Sequence, residues 1–346
     1  MKKRRIYLFS SVLLGLFLVG FCVSKVIAAK KPKHVWKWAT LGQDTIKMVS
    51  ILTVDMTRDV LKLTNGDLKF VWYMGGVMGD EEDYVAKMRI GQLQGAMISG
   101  TSNAMVCPGI SVLELPFIFN DLEEVCHVRE KIRPTIYKLT EKNGFKLLAM
   151  GSFDEHFYSA KYPMRRPEDF EKSKFLTWHG PLEVEVLKAL GASPIPVNVP
   201  EVVPSMRSGV VDGAISPSIW WLAAQLYPIT KYLNPIPIRY DQAVFIVLLK
   251  EWNKLPSNQQ KGIQKLWVKV EKIFEKEAVT LSEEAKRGMI DYGCIEVKMT
   301  PKEIEVFKKR TRPVWDNMAG KVYSRELLDE VLGHIKDYRA KKGKKR

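Results

Sequence analysis

The chain is short of almost everything a reactive site advertises. Four cysteines and five histidines are scattered through 346 residues. Cys22 lies in an apolar leader, so the body keeps Cys107, Cys126 and Cys294, an odd number with no C-x-x-C, and this excludes a disulfide scaffold. Cys107 and Cys126 either pair or sit as small buried hydrophobes. His34, His127, His156, His179 and His334 form neither H-x-x-x-H nor H-E-x-x-H, so no metal site is indicated. No G-x-S-x-G elbow occurs, and neither Cys107 nor Cys126 carries a nucleophile signature. His179, at the mouth of an expected strand, reads as a solvated loop histidine rather than a general base. Asp212 reads as a turn-former ahead of Gly213.

Long apolar runs are as scarce. The only one is Ile6–Val23, preceded by M-K-K-R-R and followed by Val26-Ile27-Ala28, the pattern of an export signal cleaved after Ala28. An uncleaved membrane anchor or a lipidated Cys22 are the alternatives, although Phe21 is bulky for a lipidation site. The net charge of +15 suggests nucleic acid until it is located. Five of those charges lie in the leader and six in the tail from Arg339 to Arg346, which leaves +4 for the body and no basic groove. Nucleic acid is therefore not an expected partner, and the tail reads as a solvated, mobile end.

What is present is a two-fold α/β pattern. Strands are expected at Val35–Thr40, Leu68–Met74 and Gln94–Ser99, with a helix from Ile46 to Leu61 and another from Asp80 to Arg89. The pattern returns as strand Lys174–Trp178, helix Leu182–Leu190, strand Pro194–Val197, helix Glu201–Ser208 and strand Val211–Ala214. Between the two lie a capped helix from Asn120 to Lys142 and a strand from Gly144 into Tyr158; a buried strand Ala243–Leu249 and an amphipathic helix Ser257–Tyr292 follow. Closing helices run Thr300–Met318 and Arg325–Tyr338. The expected organisation is a signal over 1–28, a first α/β lobe mainly 29–151, a second mainly 152–250 with crossover strands, bridging and closing helices over 251–338, and a basic tail over 339–346.

In open α/β sheets ligands bind beyond the carboxyl ends of the strands, here the loops beginning at Leu41, Gly75, Gly100, His179, Pro200 and Ile215. G-G-V-M-G at Gly75–Gly79 looks like a phosphate cradle, but Asp80, Glu81, Glu82 and Asp83 follow it, and four acids would repel a phosphate. They suit a helix N-terminus as ordinary dipole-matched charges. No cofactor is expected. Tyr73, Tyr158, Trp178, Trp220 and Trp221 all fall near strand ends, which suggests a shared apolar or stacking pocket over the alternative of plain core packing.

Seven motifs in a fixed order carry a family resemblance: T-N-G-D at Thr64, M-G-D-E at Met78, L-E-L-P-F-I-F-N-D at Leu113, P-E-D-F at Pro167, A-L-G-A-S-P at Ala189, S-G-V-V-D-G at Ser208 and W-N-K-L-P at Trp252. The sequence resembles the solute-binding proteins of tripartite ATP-independent periplasmic (TRAP) transporters, the DctP type. The resemblance implies a two-lobed, type II-like periplasmic binding protein, with a long helix bridging the lobes and a cleft that closes on a small-molecule solute. It implies an exported protein without catalysis, partnered by small and large TRAP membrane subunits. An exported α/β enzyme and a ligand-sensing module for a signalling receptor are the alternatives. Family members that bind organic acids usually carry two arginines that pair with the solute carboxylate. Here Tyr158 and Leu176 stand in those slots, and the family's E-N-P reads I-S-P at Ile215–Pro217. Arg165 and Arg166 would replace the lost pair only if their loop turned inward. The expected site is thus Tyr73, Asn103, Tyr158, Leu176, Trp178, Ser216, Trp220 and Trp221, receiving a neutral, aromatic or amphipathic solute.

Overall fold

A computed structural model describes residues 31–43, 46–178 and 180–343. The leader with Cys22, His179 and the last three residues lie outside the described residues, and among those described no helix is long and apolar enough to cross a membrane.

One ten-stranded sheet organises the chain. Strands β1 (His34–Ala39), β2 (Leu68–Tyr73) and β3 (Gly95–Ile98) pair in parallel in the first half, and β5 (Lys174–Thr177), β6 (Ser193–Pro196) and β7 (Gly213–Pro217) do so in the second. Between them run two long antiparallel strands, β4 (Phe145–Ser159) and β9 (Arg239–Leu248), paired from Phe145↔Leu248 to Glu155↔Arg239. β9 passes its carboxyl end to β3, and β4 passes its carboxyl end to β7, so the order is β2-β1-β3-β9-β4-β7-β5-β6. The expected boundary at residue 151 falls inside β4. Two short strands, β8 (Tyr232–Leu233) and β10 (Ile295–Glu296), extend the sheet beside β4.

Helix Ser257–Tyr292 carries apolar residues at Ile263, Trp267, Val270, Phe274, Ala278, Ala285 and Met289, a three-to-four spacing that gives it one buried stripe. Trp267 stacks on Trp38 in the core of the first half, with ring centroids 5.5 Å apart, whereas Met289 lies in the core of the second with Trp221 and Leu176. The two residues are separated by about 33 Å of helix axis at 1.5 Å per residue. The helix is therefore a rigid bar across both halves. At its centre Phe274 packs on Gly151 of β4, where an added Cβ would lie 2.4 Å from the ring.

The structure amends several sequence expectations. The first helix is not continuous: Lys47–Ser50 and Thr57–Leu63 flank a π-helical stretch, Ile51–Met56. Strand β7 starts at Gly213 and runs through Ser216, and β9 starts at Arg239, four residues before its apolar run. The tail is helical rather than mobile as far as Gly343, because Arg339 pairs with Glu124 at 2.6 Å and Lys342 with Asp121 and Glu123. All three described cysteines are free thiols.

Candidate binding cleft

The strand ends of both halves face one cavity of about 450 Å³. The first half contributes Thr40, Leu41 and Gly42 after β1, the Asp80–Glu82 helix start, and Met97 with Ser99, Gly100 and Ser102 around the end of β3. The second contributes Thr177, Trp178 and Gly180 after β5, Pro196–Val199 after β6, and Pro217, Ile219 and Trp220 after β7. Phe153 and Glu155 of β4, Asp241 and Ala243 of β9, Phe274 of the long helix, and Ile46, Met48, Val49 and Val184 also line the cavity.

Two of the expected site residues meet there. Trp178 and Trp220 line the cavity and contact each other edge to face, 5.1 Å between centroids at 83°. Trp178 is set in place by its backbone N–H, which donates to the carboxylate of Glu183 at 2.8 Å. Trp220 sits not in a loop but on a short helix, Ser218–Ala223, directly after β7. The geometry does not bring the other six to the wall. Tyr158 is fully buried, stacked on Trp221 at 4.6 Å with its hydroxyl donating to Ser218 at 2.7 Å. Trp221 donates from its indole to Thr230 at 2.7 Å, and Leu176 packs in the same cluster. Alternation along β5 turns Leu176 to that core, and the chain presents Thr177 and then Trp178 to the cavity. Ser216 is buried within β7, and Tyr73 packs against the core of the first half. Asn103 is buried and donates to Glu114 and to the Gln242 carbonyl at 3.1 and 2.7 Å, tying a helix to β9. These six are packing and framework residues.

Arg165 and Arg166 do not turn inward: Arg165 pairs with Glu303 at 2.9 Å, and Arg166 lies beside Asp169. Among the described residues no lysine, arginine or histidine lines the cavity. The basic group behind the wall is Arg239, buried in β9, whose Nε donates to Glu155 and whose Nη2 donates to Glu183 at 2.6 Å. Burial opposes its charge, but the two carboxylates outweigh that and hold it protonated.

The cavity wall is instead acidic. Five of its residues carry carboxyl groups: Asp80, Glu81, Glu82, Glu155 and Asp241. Asp80 caps the helix Glu81–Arg89, receiving the Glu81 N–H at 2.7 Å while Asp83 receives the Asp80 N–H. Its second oxygen receives the Val199 N–H at 2.8 Å, a hydrogen bond from one half of the molecule to the other. Glu81 receives the backbone N–H and hydroxyl of Ser99 at 2.6 and 3.2 Å. Desolvation pushes the Glu81 pKa up to about 8, with Asp241 and Asp80 adding repulsion against the lowering effect of Ser99. Three of the four acids that suit a helix dipole, Asp80, Glu81 and Glu82, are thus also part of the wall, and Asp80 is a clasp. Glu155 and Asp241 carry no sequence signature of their own; a strand placed from Arg239 onward would have turned Asp241 toward the strand ends.

Comparison with known proteins agrees with this architecture. The family profile of DctP, bacterial extracellular solute-binding protein family 7, matches residues 43–321. The chain belongs to this family. DctP-family relatives include the uncharacterized protein YiiZ of Salmonella typhimurium, 24% identical over 76% of this chain and 81% of that one. The ectoine-binding periplasmic protein TeaA of Halomonas elongata is 28% identical over 49% of this chain and 51% of its own. A TRAP periplasmic solute-binding protein from Ralstonia eutropha H16, solved with bound (S)-2-acetolactate, superposes with a TM-score of 0.80 at 24% identity, covering 88% of this chain and 99% of that one. The chain therefore has the two-lobed periplasmic binding-protein fold and is an extracellular solute-binding protein of the DctP family. Proteins of this kind bind small-molecule solutes and work with membrane subunits.

Proposed function

We propose that this receptor captures a small organic solute of little negative charge, neutral, aromatic or amphipathic, in the cavity between its halves and delivers it in the periplasm to the small and large membrane subunits of a TRAP-type transporter. The lobes on this reading are mainly 29–151 and mainly 152–250, held by the bar over 251–338. The observation that carries it is the composition of the wall. Trp178, Trp220, Phe153 and Phe274 offer apolar and stacking surface, and no basic side chain among the described residues meets the cavity. Arg239 already serves Glu155 and Glu183. A dicarboxylate brought here would lose its water without gaining a cation, a cost of several kcal/mol. The fold does not fix solute charge, since the Ralstonia protein holds an α-hydroxy acid and TeaA is named for ectoine. The lining must decide it.

Thermal-shift screening tests the proposal. Succinate and malate are expected to leave the melting temperature unchanged, whereas neutral or aromatic solutes raise it; tight, stoichiometric stabilisation by a C4-dicarboxylate with no response to neutral solutes would sink the charge argument. Trp178→Ala is expected to weaken solute binding about tenfold or more while the melting temperature of the empty protein stays within a few degrees.

A further inference from the structure

Two hydroxyl groups of the cavity wall, one from each half, are left without a hydrogen bond inside the protein. We infer that Ser102 and Thr177 select and orient the solute through these hydroxyls, and that the solute meets them with an uncharged hydroxyl, carbonyl or amide group on an apolar body. This rests on the cavity being the solute site.

The polar side chains of the wall divide by what they already do. Thr40 receives the Gly42 N–H at 3.0 Å, Ser99 donates to Glu81 at 3.2 Å, and Asp80 receives the N–H groups of Glu81 and Val199. Asn198 and Glu82 stand exposed at the rim. Ser102 and Thr177 differ from all of these. They line the cavity at only 2% and 7% exposure, and among the described residues neither hydroxyl has a hydrogen-bond partner. Buried polar groups are nearly always paired, and one left open costs about 1–3 kcal/mol. The indole nitrogens of Trp36 and Trp267 are also unpaired, but they are sealed inside a core. The Ser102 and Thr177 oxygens are not sealed in this way, because each keeps surface toward the cavity. A ligand group can therefore complete them.

Their position is the second observation. Ser102 lies in the first turn of the helix Gly100–Val106 that follows β3, and Thr177 ends β5 just ahead of the helix Gly180–Leu190. These two helices approach each other, so the hydroxyls stand where the halves meet. Near each is a glycine of the wall with positive φ, Gly100 at 49° and Gly180 at 66°. Glycine meets that backbone requirement and leaves no Cβ between the chain and a solute. A hydroxyl both donates and accepts, so the pair fits a hydroxyl, carbonyl or amide and supplies no charge to balance an ion. Trp178 and Trp220 offer surface to the apolar body. Because one hydroxyl belongs to each half, a solute bonded to both favours the closed arrangement.

Calorimetric titration of the chain without its leader tests this, using benzamide, benzyl alcohol and cyclohexanone as polar probes and toluene as the apolar control. Ser102→Ala and Thr177→Val are each expected to weaken the polar probes about three- to tenfold while toluene stays within about twofold. Thr177→Ser, which keeps the hydroxyl, is expected to hold the polar probes within about twofold of wild type. With no internal partner to lose, Ser102→Ala and Thr177→Val should leave the melting temperature of the empty protein unchanged or slightly raised. A fall of more than a few degrees would make the hydroxyls structural and overturn the inference. So would an equal loss for toluene, no loss for the polar probes, or no measurable binding of any polar probe. Trp178→Ala separates the two levels. Probes lost on Trp178→Ala but indifferent to Ser102→Ala and Thr177→Val would leave the cleft standing without the hydroxyl assignment. Tight binding that is also indifferent to Trp178→Ala and Trp220→Ala would overturn the cleft itself.

Discussion

Glu81 holds its proton at neutral pH because losing water costs its ionised form more than the Ser99 contacts return. The sign of the consequence is fixed by linkage. The unfolded chain releases this proton near pH 4.5, whereas the folded chain keeps it up to about 8. Between those values the native state binds more protons than the unfolded one, so stability from this residue is present at low pH and is lost as pH rises toward 8. Melting temperatures measured across that window should fall more steeply for wild type than for Glu81→Gln; parallel curves would remove Glu81 from the account. The same scale explains which site residues could be read from sequence. The sequence places Trp178, Trp220, Tyr73 and Trp221 alike near strand ends, and Trp178 and Trp220 are the two that line the cavity while Tyr73 and Trp221 pack in the cores. Tyr158 and Leu176 were not legible as core residues, because one residue of strand register decides between core and cavity, and a motif aligned by order alone does not carry that register. Glu81 was legible as a charge and illegible as a wall, since a first-turn acid satisfies the helix dipole whether or not a cavity lies beside it.

At the scale of elements, the crossing of β4 under the long helix concentrates the constraint. Gly151 and Phe274 meet there, and Phe274 also lines the cavity, so the packing of a strand on a helix sets the depth of the site. Gly151→Val would drive Phe274 from its rotamer, with an expected loss of about 1–3 kcal/mol in chemical denaturation and a weaker solute affinity; unchanged stability would show that the ring yields freely. The repeated β-α-β pattern and the apolar stripe of Ser257–Tyr292 were plain in the sequence, because period two and period 3.6 are set by burial on one face. The start of β9 was not. Arg239 and Gln242 are polar residues buried with ion pairs and hydrogen bonds, Asp241 lies buried between them, and a hydrophobic run cannot announce them. The helical tail was hidden for a related reason: its Arg339 and Lys342 pair with Glu124, Asp121 and Glu123 from more than two hundred positions earlier.

At the scale of the whole molecule, two halves share one sheet and one bar, and a hydrogen bond crosses the mouth of the cavity. The Val199 N–H donates to Asp80, joining the loop after β6 to the helix that begins the opposite wall. A clasp of this size contributes about 1 kcal/mol, enough to bias an open–closed equilibrium without freezing it. Asp80→Ala should therefore speed solute release several-fold in stopped-flow measurements, beyond what its loss as a helix cap does to stability; an unchanged release rate would assign Asp80 to capping alone. The central claim is that the cavity between the halves holds the solute and offers no partner to a dicarboxylate. Native mass spectrometry of the freshly purified protein, wild type beside the Trp178→Ala/Trp220→Ala variant, tests it most directly. The account predicts one small molecule per chain without net negative charge, present on wild type and absent from the variant; a dicarboxylate retained equally by both would contradict it.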